Sequence, residues 1–403
     1  MKKIKILRII ARLNIGGPAI HVILLTEGLD KARFNSLLIC GNVSKDEGDM
    51  LYYAHQKNIK PLLIPELRRE LGFLSDIIAF KKIYNIINTE HPDIIHTHTA
   101  KAGTLGRLAA ILYNLSHPKN KRIKLIHTFH GHAFSGYFNG FQTKFFIFIE
   151  RFLASFTHTF VTVSNSIKGE LIYRHICKED KIKIIPLGFE LEKFLNIAPR
   201  NSNTLNISII GRLVPIKNHR LFLEAVAAVI RDCPEMSLEF RIIGDGQLRS
   251  ALENYSRQLN IHTHVSFLGW QKDLPAIYSD SDIVALTSIN EGTPVSLIEA
   301  MASGKAVVAT DVGGVRDLLG KEIRYNARNN ADNMGFKILE RGVIVKSEDS
   351  FNFSRAMILL LQDANLRKDI GLRSRDFVRG EFTKERLIKD IENLYSHILI
   401  CSK

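Results

Sequence analysis

Cysteine is scarce in this chain: four residues, Cys40, Cys177, Cys233 and Cys401, stand far apart among 403. No C-x-x-C pair and no paired framework occurs, which excludes a disulfide scaffold and leaves reduced thiols suited to the cytosol. Long apolar runs are missing too. The most apolar stretch, residues 141–163, carries Lys144, Glu150 and Arg151, charges that a lipid-exposed helix does not hold at its middle, so no membrane span is expected. The N-terminus is basic, then apolar. Arg8 and Arg12 interrupt its apolar part and no small-residue cleavage site follows, so a buried first strand is expected rather than a signal peptide. There is no internal repeat and no low-complexity tract. The loop after the first strand candidate reads Asn14-Ile15-Gly16-Gly17-Pro18, not G-x-G-x-x-G, which excludes a nicotinamide-dependent oxidoreductase.

What the chain does have is the composition of a soluble globular enzyme, 45% hydrophobic and 24% charged, with length enough for two domains. Short β-branched runs alternate with longer amphipathic segments, the pattern of doubly wound α/β domains with parallel sheets. Strands are expected at 4–11, 36–41, 59–64, 93–97, 123–129, 159–164 and 182–185. A second set is expected at 205–211, 238–244, 265–268, 283–287, 306–310 and 343–345, followed only by helices. The polar stretch with Pro199 marks residues 188–204 as a linker between an N-terminal domain, 1–187, and a C-terminal domain, 205–382. Residues 383–403 are read as a helix that packs back on the N-terminal domain. Two such domains facing each other place the C-terminal strand ends on both sides of one cleft, where ligands bind.

Charge is one-sided. Residues 1–200 hold 29 Lys and Arg against 16 Asp and Glu, whereas residues 201–403 hold 26 against 25. A basic N-terminal half points to an acidic partner: an anionic membrane leaflet, a phosphorylated acceptor or nucleic acid. The absence of alternating aromatic and basic residues on a sheet surface argues against nucleic acid. Ten of the 23 phenylalanines lie between Phe129 and Phe160. They suit either a helix packed on the sheet or rings that enter a bilayer at headgroup level beside Lys144, Arg151, Arg68, Arg69, Lys81 and Lys82.

The motifs that can carry chemistry follow strand candidates. In 288–304, Thr293 is expected to cap a helix, Pro294 to occupy its first turn, and Gly304 to end it in a left-handed conformation. Glu291 and Glu299 then flank a set of unpaired backbone N–H groups. The N–H groups suit a phosphate, and the carboxylates suit sugar hydroxyls. In 209–218, Arg212 and Lys217 bracket a loop before a helix, two cations for a diphosphate worth roughly 1.5 to 3 kcal/mol each.

Taken together, Gly211-Arg212-Leu213-x3-Lys217-Asn218, Gly244-Asp245-Gly246 and Glu291-Gly292-Thr293-Pro294-x4-Glu299 resemble the family 4 retaining glycosyltransferases of GT-B fold, bacterial polysaccharide type. Gly16-Gly17, the Asp93 to His98 and Thr128 to His130 segments and Asp311 to Asp317 extend the likeness over nearly the whole chain. It implies that Glu291 contacts the donor sugar, Glu299 the ribose, and Arg212 and Lys217 the diphosphate. Gly211, Gly244, Gly292, Thr293, Pro294 and Val295 would line the donor site, with N–H donors from Gly292 and Thr293. Gly16 and Gly17 would let the first domain approach the diphosphate, and His130 would stand near the reacting sugar.

The resemblance further implies retention without a metal: Arg212, Lys217 and the helix N-terminus stabilise the leaving diphosphate, and Glu291 orients hydroxyls instead of acting as a nucleophile. The implied partners are a nucleotide sugar, with uridine as base, and a lipid-linked or glycan acceptor. The implied place is the inner face of the cytoplasmic membrane. A sugar-nucleotide epimerase or phosphorylase of the same fold stays open, as does a nucleotide- or RNA-binding protein. Two metal readings are disfavoured. Asp280-Ser281-Asp282 precedes a strand and so stands at the wrong sheet end, and His96, His98, His127, His130 and His132 lack a carboxylate or cysteine to complete a set. One departure from the resemblance is Pro186-Leu187-Gly188-Phe189-Glu190, where relatives read Pro-Asn-Gly-Val-Asp.

Overall fold

The computed structural model describes residues 3–43, 48–68, 72–119, 122–131, 140–198, 202–325 and 334–400. The chain divides into two units, Met1–Phe189 with Thr383–Lys403, and Glu190–Phe382.

In the first unit, strands β1 (Ile4–Arg12), β2 (Phe34–Gly41), β3 (Leu62–Leu63), β4 (Ile94–His98), β5 (Lys124–Phe129), β6 (Thr159–Thr162) and β7 (Ile182–Ile184) form one sheet in the order β3-β2-β1-β4-β5-β6-β7. Every pair is parallel. Alternation along β1 sends Leu7 and Ile9 to one face and Ile6 to the other, so helices can cover both sides. The helix Lys384–Ile400 belongs to this unit. Its Leu387, Ile391, Leu394, Tyr395 and Ile398 share one face at helical spacing and pack with Ile6, Leu25, Phe34 and Ile94. Arg8, expected as a break in apolar sequence, is fully buried there. Its guanidinium donates to Thr26 and Ser36 at 2.8 Å and to the Tyr395 hydroxyl at 3.0 Å.

The second unit holds β8 (Leu205–Ile210), β9 (Leu238–Ile243), β10 (Val265–Gly269), β11 (Ile283–Leu286), β12 (Ala306–Thr310), β13 (Phe336–Leu339) and β14 (Gly342–Val345), in the order β10-β9-β8-β11-β12-β14-β13. All neighbours are parallel except β13 and β14. The edge strand β13 was not expected from sequence. It is a four-residue arm of a tight hairpin, too short to show a period.

The linker needs correction. Residues 190–198 are part of the second unit: Leu191 and Phe194 are buried, Phe194 packs edge-on against Tyr278, and the Arg375 guanidinium donates to the carbonyls of Leu195 and Ile197. Gly188 and Phe189 stay with the first unit, where the Lys384 N–H donates to the Phe189 carbonyl at 3.0 Å. Residues 199–201 lie outside the described set. At the departure from the familiar motif, Leu187 and Phe189 are buried, and the Arg386 guanidinium donates to the carbonyls of Pro186 and Leu187, each at 2.7 Å. Apolar packing and backbone contacts thus stand where an amide would.

Chain order reverses between β1 and β4 in one sheet and between β8 and β11 in the other. Loops leaving these strands at their C-terminal ends diverge to opposite faces and open a crevice. The loops at Gly16 and at 211–218 and 287–294 all leave such strands.

Candidate functional site

In the second unit β8 and β11 are paired in register from Ile207 with Ile283 to Ile209 with Ala285, so the loops that follow them run side by side. Backbone bonds hold them together: the Ile289 N–H donates to the Ile216 carbonyl at 2.9 Å, and the Thr287 hydroxyl donates to the Lys217 carbonyl at 2.9 Å. This register brings Lys217 and Glu291 together, with Nζ 2.5 Å from Oε1. Ser288 donates to the same carboxylate oxygen at 2.6 Å. Arg212 is partly buried, and its guanidinium has no hydrogen-bond or ion-pair partner among the described residues. One cation is therefore already compensated and the other is not.

Gly244 explains how the Gly-Asp-Gly loop fits. Its φ of +130° is open to glycine, and a Cβ there would stand 2.0 Å from the Gly211 carbonyl oxygen. The two loops are joined by the bond from the Leu213 N–H to the Asp245 carbonyl at 2.9 Å. Between β8 and β11 lies a small recess lined by Gly211, Lys217, His219, Thr287 and Ser288. His219 is buried, both its ring nitrogens lack partners among the described residues, and burial lowers its pKa to about 4.

The helix after β11 spans Val295–Ala302. Thr293 does not cap it. Pro294 is extended, with φ −72° and ψ 116°, so it takes the cap position itself and no side chain caps the N-terminus. The Thr293 hydroxyl is buried without a partner among the described residues. The loop is pinned instead through the Gly314 N–H, which donates to the Gly292 carbonyl at 3.0 Å. The C-terminal expectation holds: Gly304 has φ +67°, and bonds from Gly304 to Met301 and from Lys305 to Ala300, each 3.0 Å, close a Schellman motif.

Glu299 sits inside this helix, partly buried, and accepts from the Tyr278 hydroxyl at 2.9 Å. Burial raises its pKa from 4.5 to about 7 against the opposing Tyr278 bond and the charge of Lys193. Between those two values the folded chain keeps a proton that the unfolded chain releases. Stability therefore falls as pH rises through this window, and the full cost is present above about pH 7. Glu299→Gln keeps an acceptor for Tyr278 and cannot ionise. It is expected to raise stability by about 1–2 kcal/mol at alkaline pH, screening at its open edge discounted, and to match wild type in mild acid. Thermal melts at the two pH values check this.

In the first unit Gly16, with φ +155°, and buried Gly17 begin the helix Gly17–Gly28 after β1. His130 follows β5, and its Nε2 lies 3.0 Å from Nδ1 of His98 at the end of β4. Burial lowers the His130 pKa to about 3. His96 is buried and structural, bonded to the Tyr395 hydroxyl and to Thr128 at 2.7 Å each. His127 is also buried, bonded to Thr97 at 2.8 Å. His132 lies outside the described residues. His21, not singled out in the sequence, completes a group with His98 and His130 whose candidate ligand atoms lie within 4.8 Å of one another. Its signal was available: a lone histidine in the apolar run Ala19 to Leu25, one turn beyond the Gly16-Gly17 loop.

Asp280-Ser281-Asp282 serves structure at the other end of β11. Asp280 pairs with Arg241, the Asp282 carboxylate accepts from the Asn206 N–H at 2.8 Å, and Ser281 bonds Ser208 at 2.7 Å.

Comparison with known proteins fixes the class. Residues 15–193 match the family model Glycosyltransferase Family 4, and residues 204–363 match the model Glycosyl transferases group 1. The chain belongs to the family 4 glycosyltransferases, with the two parallel-sheet Rossmann-like domains of the GT-B fold. It is 27% identical over 385 residues to the Escherichia coli UDP-Gal:alpha-D-GlcNAc-diphosphoundecaprenol alpha-1,3-galactosyltransferase, which covers 93% of this chain and 92% of that enzyme. It is also 27% identical over 259 residues to a Campylobacter jejuni alpha-1,4-N-acetyl-D-galactosaminyltransferase named for a diNAcBac-PP-undecaprenol-linked acceptor, covering 62% of this chain and 66% of that one. The crystal structure of Anabaena HepE in complex with UDP superposes with a TM-score of 0.75 at 18% identity, covering 98% of this chain and all of that one.

Proposed function

We propose that this glycosyltransferase moves a hexosyl or N-acetylhexosaminyl unit, with retention, from a UDP-sugar to a polyprenyl-diphosphate-linked or glycan acceptor in bacterial surface polysaccharide synthesis. The observation that carries the reading is the joining of Lys217 to Glu291 across two loops that also carry Arg212, without a partner among the described residues, and an uncapped helix N-terminus. An arriving diphosphate draws Lys217 from Glu291, neutralises Arg212 and accepts the free N–H groups of Val295 and its neighbours. Glu291, released, turns to the sugar hydroxyls, and Glu299 meets the ribose. As the bond to the anomeric carbon stretches, charge accumulates on the leaving diphosphate, where both cations and the helix end are already placed. These groups supply the charge compensation with no metal ion, so chelation is expected to leave the rate unchanged. The Escherichia coli relative, named for a UDP-Gal donor, supports the uridine nucleotide, and both relatives, named for undecaprenol-linked acceptors, support the lipid-linked acceptor. The test is release of UDP from a panel of UDP-sugars, with and without a polyprenyl-diphosphate-linked sugar. Release that needs the acceptor supports the reading; a donor isomerised in its absence makes the chain an epimerase.

A surface of the first unit supports work at the anionic cytoplasmic face of the membrane. The helix Gly140–Phe156 buries Glu150 and Leu153 inward and turns Phe145, Phe148, Phe152 and Phe156 outward, each between 41% and 69% exposed. The helix Phe73–Glu90 exposes Phe73, Leu74, Ile77 and Ile78, and Lys81 and Lys144 stand exposed on the two helices. Among the described residues no helix is long and apolar enough to cross a membrane. Rings at headgroup level with lysines among them fit shallow, reversible docking. Phe148→Glu with Phe152→Glu is expected to cut co-sedimentation with phosphatidylglycerol vesicles at least tenfold, at unchanged UDP affinity. Burying one such ring is worth about 1.5–3 kcal/mol.

A further inference from the structure

His96, His98 and His130 form a column of rings. Centroids of His96 and His98 lie 4.4 Å apart and those of His98 and His130 5.2 Å apart, each pair inclined by 30°. The base of the column is fixed, because His96 spends both ring nitrogens on Tyr395 and Thr128, and Tyr395 is held in turn by Arg8. His21 closes the side, edge-on to His98 and His130 with centroids at 5.7 and 4.9 Å. Burial keeps all four rings neutral, so each carries one N–H. The Nε2 of His98, the Nδ1 of His130 and both nitrogens of His21 are buried without partners among the described residues. Buried polar atoms left unpaired in a folded protein call for a ligand or an ordered water.

We infer that His98 is a positioning residue for His130: their shared hydrogen bond fixes the ring orientation of His130 and ties its tautomer to that of His98, leaving Nδ1 as the ring nitrogen available to a substrate hydroxyl. If His130 donates from Nε2, its Nδ1 accepts a hydroxyl proton. If His98 donates from Nδ1, the His130 proton sits on Nδ1 and is donated to a hydroxyl oxygen. In either arrangement the His98 bond decides which partner the hydroxyl meets, as a second hydrogen bond decides the tautomer of any histidine. This inference rests on the transfer reaction proposed above. Three imidazoles of this spacing also match a zinc ligand count, but the bond between His98 and His130 occupies the ring nitrogens that face each other, and no carboxylate among the described residues joins the group.

The test compares His98→Asn, whose amide falls near the Nδ1 position, with His98→Gln, whose amide falls near Nε2. His98→Asn is expected to keep kcat within about threefold. His98→Gln is expected to lose about 10- to 100-fold in kcat at unchanged donor KM, the cost of a loosened reacting geometry. Two-bond proton–nitrogen spectra of histidine-labelled protein read the tautomer without turnover: His130 shows one tautomer in wild type and His98→Asn, and a mixture in His98→Gln. Wild-type kcat and a single His130 tautomer in His98→Gln overturn the inference. So do equal losses in both variants, which mark plain packing, or one equivalent of zinc held by wild type and lost in His21→Ala. If wild type transfers no sugar at all, the proposed reaction fails, while the spectra still report on the bond.

Discussion

Lys217→Ala is expected to lower kcat for sugar transfer by about 10²- to 10³-fold while leaving the melting temperature within a few degrees of wild type. The size follows from what one preorganised charge contributes at a developing anion, about 2.7–4 kcal/mol. The loss falls on kcat, because the diphosphate gains charge as it leaves and the missing ammonium matters most there. Stability changes little, because two bonds to backbone carbonyls still join the loops without the Lys217 side chain, from the Thr287 hydroxyl to Lys217 and from the Ile289 N–H to Ile216. Glu291, left without its cation, keeps the Ser288 hydroxyl and an open edge to solvent. Steady-state rates at saturating donor, beside a thermal melt, check both halves. Full activity in this variant contradicts the role assigned to Lys217.

The largest expected effect on stability is at Arg107 and Glu150 in the first unit. The Arg107 guanidinium is fully buried and donates to both oxygens of Glu150 at 2.7 Å each, with a further bond from Nε to the Gly103 carbonyl at 2.9 Å. Glu150→Ala leaves a buried cation with no counter-charge, a loss of about 3–5 kcal/mol. For a unit of this size that lowers the melting temperature by roughly 10 °C or more. Replacing both partners by leucine removes the unpaired charge and is expected to recover most of the loss. Melts of the single and double variants check the pair, and a Glu150→Ala protein as stable as wild type contradicts it.

Much of the fold was legible because parallel strands are short β-branched runs and their C-terminal ends carry the glycines, so β8, β11 and β12 and the loops after them could be read in order. The Gly304 cap was legible for a local reason, a glycine at the end of an apolar helix. Contacts between distant segments were not. Lys217 and Glu291 stand 74 residues apart, and only the pairing of β8 with β11 joins them. Thr293 looked like a cap because Ser, Thr, Asp and Asn usually are, but the extended Pro294 shifts the helix start by one residue. The polar composition of 188–204 hid Leu191 and Phe194, which bury themselves in the second unit. Glu150 read only as a charge that argues against a membrane span, and its inward turn depends on Arg107 from another helix.

One measurement bears most directly on the proposed reaction: the mass and anomeric proton coupling of the product formed from a panel of UDP-sugars and a polyprenyl-diphosphate-linked acceptor, with a chelator present. The expected result is an acceptor heavier by one hexosyl or N-acetylhexosaminyl residue, joined with the same anomeric configuration as the donor. An acceptor left unchanged by every donor, or a product of inverted configuration, contradicts it.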